Sequence, residues 1–114
     1  MLDPAARAKL VRRAQIVKAL GHPSRLLIVD ELLQHGERCV CELTKLVGVD
    51  VSTVSRHLAV LRMAGIVVDE RRGLQVFYRL RTPEVKSLVR AAEDMAGAIT
   101  RDQLGQLLSM SSSG

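Results

Sequence analysis

Cys39 and Cys41 are the two thiols of a 114-residue chain, separated only by Val40. Thiolates hold soft metal ions and are the sulfur form that oxidises. Arg38 next door and the amide dipoles of a helix start both favour that form. A disulfide framework for a small secreted domain would use more cysteines, spread to close large loops; in a reducing compartment this pair would be free thiols. A second constellation comprises Ser52, Thr53, Ser55, Arg56 and His57. Short hydroxyls and a planar guanidinium meet phosphate oxygens and base edges, and Arg56 could take guanine O6 and N7 bidentately. Arg71 and Arg72, beside Gly73, add a third basic point.

The elements that must position these groups are legible from periodicity. Pro4 and the alanines after it open a helix to about Leu20, closed by Gly21; His22-Pro23-Ser24 restarts the chain into a helix ending near His35-Gly36. The run Leu26 to Val29 with Leu32 and Leu33 is apolar on most sides, the mark of a well-buried helix. Two short helices follow, Cys39 to Val47 and Val51 to Ala64, linked by Gly48-Val49-Asp50, where Gly48 suits a left-handed helix end and Asp50 a cap. In the second, Val54, Leu58 and Leu61 share an inward face, which turns Ser52, Ser55, Arg56 and Ala59 outward; His57 falls on the flank, placed for the nucleic-acid backbone. Ile66 to Val68 and Val76 to Tyr78 read as a β-hairpin with Arg71 and Arg72 at a basic tip. Pro83 opens a last helix, about Glu84 to Thr100, and Ser109 to Gly114 reads as a disordered tail. The fold class is mainly α (α+β), a winged helix-turn-helix with about five helices and one hairpin wing, in one domain over residues 1–108.

Composition narrows the function. Lys and Arg number 17 against 12 Asp and Glu, a net charge of +5, and 13 of the 17 are Arg. Arg-rich basic surfaces suit phosphate. Aromatic residues make up only 2%, Phe77 and Tyr78, too few to stack the bases of a single strand, so duplex DNA is the partner that fits. A dithiol oxidoreductase would carry Cys-x-x-Cys after a strand, and no phosphate loop, paired-carboxylate site or nucleophile triad is visible; the chain does not read as an enzyme. It has neither a membrane span nor a cleavable leader, which makes the cytoplasm the default.

The run Ser52 to Ile66 (STVSRHLAVLRMAGI), the upstream Ala19 to Leu26 (ALGHPSRL) and the hairpin Arg72 to Tyr78 (RGLQVFY) resemble the ArsR/SmtB family, in the right order and over about Ala14 to Leu80. The resemblance implies a homodimer paired through its first and last helices, binding an inverted repeat in operator DNA. Two copies also place recognition helices about 34 Å apart on two half-sites, whereas one small domain reads too few base pairs to be selective. It further implies release from DNA by a metal, a metalloid or cysteine oxidation. The arsenic-sensing branch carries Cys-Val-Cys at this position and a third cysteine three residues later. Cys39 and Cys41 match, and Thr44 stands where the third would be.

The resemblance thus makes Cys39 and Cys41 the ligands of arsenite or antimonite as inducer, with no resident cofactor required. Arsenite prefers three sulfurs; two thiolates with a hydroxide or an external thiol remain chemically possible. Thiol oxidation, or cysteines without an effector role, are the other readings. Residues two apart in an intact helix point to nearly opposite sides, so one ion on both sulfurs would require an unwound helix start. Zinc sensors of the family use Asp and His on the last helix; Glu93 and Asp94 occur there without a His, and His22, His35 and His57 are scattered. Nothing before Cys39 is Cys, which removes an N-terminal cadmium or lead site, and four-ligand structural zinc has no ligand set.

Overall fold

In the computed structural model, which describes residues 2–112, the Asp3 carboxylate accepts the Ala6 amide proton at 2.8 Å and caps the first helix. That helix, α1, spans Pro4–Leu20. Helix α2 spans Pro23–His35, with His22 as its cap: the ring Nδ1 accepts from the Ser24 amide at 3.0 Å. A short strand β1, Glu37–Cys39, leads into α3, Val40–Val47. Gly48 closes α3 in the left-handed conformation, φ 76°, which costs glycine nothing. Helix α4 is Val51–Met63. Strands β2, Val67–Arg72, and β3, Gln75–Leu80, form the wing, and α5 is Glu84–Ser112.

The three strands are antiparallel in the order β1-β3-β2. Strand β1 was not foreseen: three residues are too short to display an alternation. It pairs Glu37 with Arg79 and Cys39 with Phe77. The hairpin is in register from Val67 opposite Leu80 to Arg72 opposite Gln75, so Gly73 and Leu74 make the turn. The tip is therefore not basic. Arg71 and Arg72 are the last strand residues, and Leu74, 97% exposed, occupies the apex.

The chain divides into two compact units, one ending at Thr82 and one beginning at Pro83. The core of the first is aliphatic: Ile28, Val29 and Leu32 from α2, Leu43 from α3, Val54, Leu58 and Leu61 from α4, and Val67 from β2. Burying each such side chain is worth about 1.5–3 kcal/mol. Leu27, expected inside, is 40% exposed.

The second unit is α5. It runs unbroken past Thr100, through Ser109 to Ser112, correcting the expectation of a disordered tail there; residues 113 and 114 lie outside the described residues. Gln103, Leu104, Gln106, Leu107 and Leu108 are good helix formers, and Gly105 costs only about 1 kcal/mol against Ala, too little to stop the helix. Leu88, Met95, Ile99, Leu104, Leu107 and Leu108 are all exposed on it. Helix α1 likewise exposes Leu10, Val11 and Val17. Among the described residues, no helix is long and apolar enough to cross a membrane.

Candidate nucleic-acid interface and its cysteine pair

Helix α4 stands on Val54, Leu58 and Leu61, all fully buried, so its opposite face is outward as its periodicity predicts. Ser52, Ser55 and Arg56 are exposed there, while Ala59 is half-buried. Among the described residues, Ser55 and Arg56 make no side-chain hydrogen bond or ion pair. Ser52 and Thr53 differ. Both hydroxyls donate to Asp50, Thr53 Oγ1 at 2.6 Å, and the Thr53 amide reaches the same carboxylate at 3.2 Å. The hydroxyl protons of Ser52 and Thr53 are thus held by the helix cap rather than offered outward. The Ser52 hydroxyl, then that of Thr53, pulls the Asp50 carboxyl down to about 2.

His57 does not sit on a free flank. It is half-buried, and its ring packs against that of His22 with centroids 4.5 Å apart. Position 57 follows Val54 by three residues, which places it at the edge of the packed face. Burial first, then the neighbouring His22, Arg25 and Arg56, pushes the His57 imidazole below its ordinary value.

In the wing, Arg71 Nε donates to the Gly73 carbonyl at 3.4 Å and the side chain is exposed. Arg72, expected to be free for DNA, is bound within the protein. Its guanidinium lies over the Phe77 ring, 4.7 Å from the centroid, and crosses the middle strand to Glu37 of β1. It also donates to Glu70 at 2.8 Å. Glu37 and then Glu70 hold the Arg72 proton more tightly than usual. Glu37 and Glu70 neutralise this charge on the exposed face of the sheet, while Arg71 stays outward in the wing.

Cys39 is not inside α3 but caps it. Its backbone is extended, φ −79° and ψ 161°; its sulfur accepts from the Glu42 amide at 3.4 Å, and Glu42 Oε1 accepts from the Cys39 amide at 3.1 Å. This reciprocal pair is a capping box with sulfur in the role of the usual hydroxyl. Because Cys39 lies outside the helix, its side chain and that of Cys41 converge. Their Cα atoms are 5.4 Å apart and the sulfurs are joined as a disulfide. A shared ligand needs a helix start that is unwound or becomes so, and this extended cap is already unwound: it brings the sulfurs together without melting α3. Pairing of β1 with β3 makes that backbone extended, a long-range cause that helical spacing does not contain.

Cys39 is buried and Cys41 exposed. Arg38 is not a free cation beside them. Its Nε is 3.2 Å from Glu31 and its Nη1 3.5 Å from Glu42. Two carboxylates share its charge. The hydroxyl of Thr44 donates to the Val40 carbonyl at 2.7 Å and faces back along the helix.

Beside the pair opens a cleft of about 380 Å³ whose walls include Val40, Val51, Leu74 and Val76. Cysteine pair, first residue of the recognition helix and wing apex thus meet at one place. Sequence patterning did not reveal this cleft.

Comparison with known proteins agrees with this geometry. A family model described as bacterial regulatory protein, arsR family, matches residues 22–68. The arsenical resistance operon repressor of Bacillus subtilis is 38% identical over 84 residues, spanning 73% of this chain and 80% of its own length. The biofilm growth-associated repressor of Xylella fastidiosa is 42% identical over 78 residues, 68% of each chain. Among solved structures, the homodimeric winged helix-turn-helix DNA-binding domain of a possible ArsR-family regulator from Mycobacterium bovis superimposes with a TM-score of 0.79 at 30% identity. It covers 89% of this chain and 93% of that one.

Proposed function

Since the chain belongs to the ArsR family of bacterial regulatory proteins, a family of DNA-binding transcriptional regulators rather than enzymes, we propose that it is a homodimeric repressor released from operator DNA when arsenite or antimonite binds Cys39 and Cys41. The observation that carries this reading is the capping box: the sulfur offered to the metalloid is the N-cap of α3, the helix that supports α4. A bond from Cys39 Sγ to arsenic competes with its bond to the Glu42 amide. The metalloid would also stand in the cleft shared with Val51 of α4 and the wing. Both DNA-contacting elements then feel one ligand. The apolar side chains exposed on α1 and on α5 supply the surfaces for a second copy, and the relatives named as repressors support the regulatory sign.

Thiol oxidation is the second reading, favoured by the Cys39–Cys41 disulfide itself. Two thiols would give up two electrons and two protons to an oxidant such as a peroxide, which leaves as water. The test is fluorescence anisotropy of reduced protein on the DNA upstream of its own gene, titrated with arsenite and, separately, with peroxide. Release by arsenite that vanishes in Cys39→Ser and Cys41→Ser supports the metalloid reading. Release by peroxide alone supports the oxidative one. Release of the double serine variant by arsenite overturns the proposed site.

A further inference from the structure

We propose that a pocket between α1, α2 and the end of α4, separate from the cysteine pair, binds a small organic carboxylate with an apolar body. Its volume is about 360 Å³, within the range of small-molecule sites, roughly 300–1,000 Å³. Gln15 and Lys18 of α1 and Arg25 of α2 make its polar wall. Ala19, Val60, Met63 and Ala64 make the apolar one, where Val60 is 39% and Met63 84% exposed. No wall residue is acidic.

The charges select an anion. Among the described residues, neither Lys18 nor Arg25 forms an ion pair. Two further guanidiniums, those of Arg12 and Arg81, converge beside Gly65, the residue after Ala64. Neither has a carboxylate partner among the described residues. Arg25 also holds a donor in need of an acceptor: its Nε–H is buried without a hydrogen-bond partner. A buried, unpaired donor costs free energy. A carboxylate that turns the guanidinium toward itself gives this proton an acceptor, in a charge-assisted bond.

The apolar wall decides the rest of the ligand. Ring or methylene carbon gains by leaving water for Val60 and Met63. An inorganic anion would leave that wall wet, and an uncharged apolar molecule would leave the Arg25 proton unpaired. The geometry also argues against DNA as the occupant. A helix of this kind meets base edges with its N-terminal residues. Met63 is the last residue of α4, about 18 Å along the helix from Val51. The pocket thus lies at the end of α4 opposite the cysteine cleft, and an anion bound there ties α1 and α2 to the recognition helix.

The test titrates full-length protein without DNA with phenylacetate and with octanoate. Calorimetry follows the heat of binding, and proton–nitrogen NMR spectra follow the Arg25 Nε–H resonance. Both carboxylates are expected to bind saturably, shift that resonance and, by mass action, raise the melting temperature. Phenylacetamide, the same body without the charge, and acetate, the charge without the body, should each bind tenfold or more weakly than phenylacetate. Arg25→Gln should weaken phenylacetate at least tenfold, as should Met63→Glu, which sets a carboxylate at an exposed site of the pocket. Lys45→Gln, the same loss of charge on α3 outside the pocket, should leave its binding unchanged; melting curves show that each variant folds. No saturable binding of either carboxylate overturns the site. So does phenylacetamide as tight as phenylacetate, or Lys45→Gln as damaging as Arg25→Gln. Arg25→Gln that lowers the salt slope of operator binding, while neither carboxylate binds, assigns these cations to DNA phosphates and overturns it too.

Discussion

The sulfur of Cys39 and the backbone amide of Glu42 lie 3.4 Å apart, and the Glu42 carboxylate returns the bond to the Cys39 amide at 3.1 Å. One atom therefore caps the start of a helix and, in the proposed function, would also hold the effector. A hydroxyl performs the capping task better than a thiol and the sensing task not at all, which separates the two roles by substitution. In reduced protein, Cys39→Ser should melt at or above the wild-type temperature. Cys39→Ala should lose about 1 kcal/mol of stability. Thermal unfolding read by circular dichroism measures both, and equal losses would mean that the sulfur caps nothing.

Arg56 and Arg72 are expected to part company on DNA. Arg56 is exposed on the outward face of α4, so Arg56→Ala should weaken operator binding by roughly 1–3 kcal/mol and, if it grips phosphate, lower the salt slope by about one. Arg72 is neutralised by Glu37 and Glu70. Arg72→Ala should leave the salt slope unchanged while loosening the sheet. Anisotropy titrations across a salt series distinguish the two; an unchanged isotherm for Arg56→Ala would remove that residue from the interface.

Asp50 stays ionised at any working pH, since the Ser52 and Thr53 hydroxyls hold its carboxyl near 2. An anion at the start of α4 repels the phosphates that the helix approaches. Asp50→Asn keeps a capping oxygen and removes the charge, so DNA affinity should rise, most clearly at low salt. Affinity unchanged at every salt concentration would place Asp50 away from the phosphates.

His57 links stability to pH. Burial, His22, Arg25 and Arg56 lower its proton affinity in the folded chain below the ordinary 6.5. The unfolded chain thus binds the proton more readily. The stabilisation is complete above 6.5 and lost as pH falls from there toward the lower folded value. Urea unfolding at a series of pH values should show this decline, and His57→Gln should flatten it. A wild-type curve already flat from pH 7 to about 5 would contradict the burial of that ring.

The proposed dimer would cover the exposed apolar rows of α1 and α5. Ile99→Glu with Leu107→Glu, both at exposed sites on α5, should convert a dimer to a monomer in sedimentation equilibrium and weaken operator binding. Each charge would be buried unpaired in an apolar interface. A double variant that sediments as a dimer would exclude this face.

The amino-acid order by itself determined the succession of the helices and the hairpin and the face of α4. Both rest on local rules: a turn every 3.6 residues puts Val54, Leu58 and Leu61 inside wherever the helix packs, and Asp50 and Gly48 bound helices through bonds to near neighbours. Even there, α5 outran its expected end, because a run of good helix formers carries a helix through one glycine. Tertiary structure decided the rest. Arg72 lies in a basic run, yet Glu37, far earlier in the chain, neutralises it across a folded sheet. Cys39 belongs by pattern to a helix, and it is extended because β1 pairs with β3. Helical spacing would hold the two sulfurs apart; a long-range backbone pairing brings them together, and no local rule contains it.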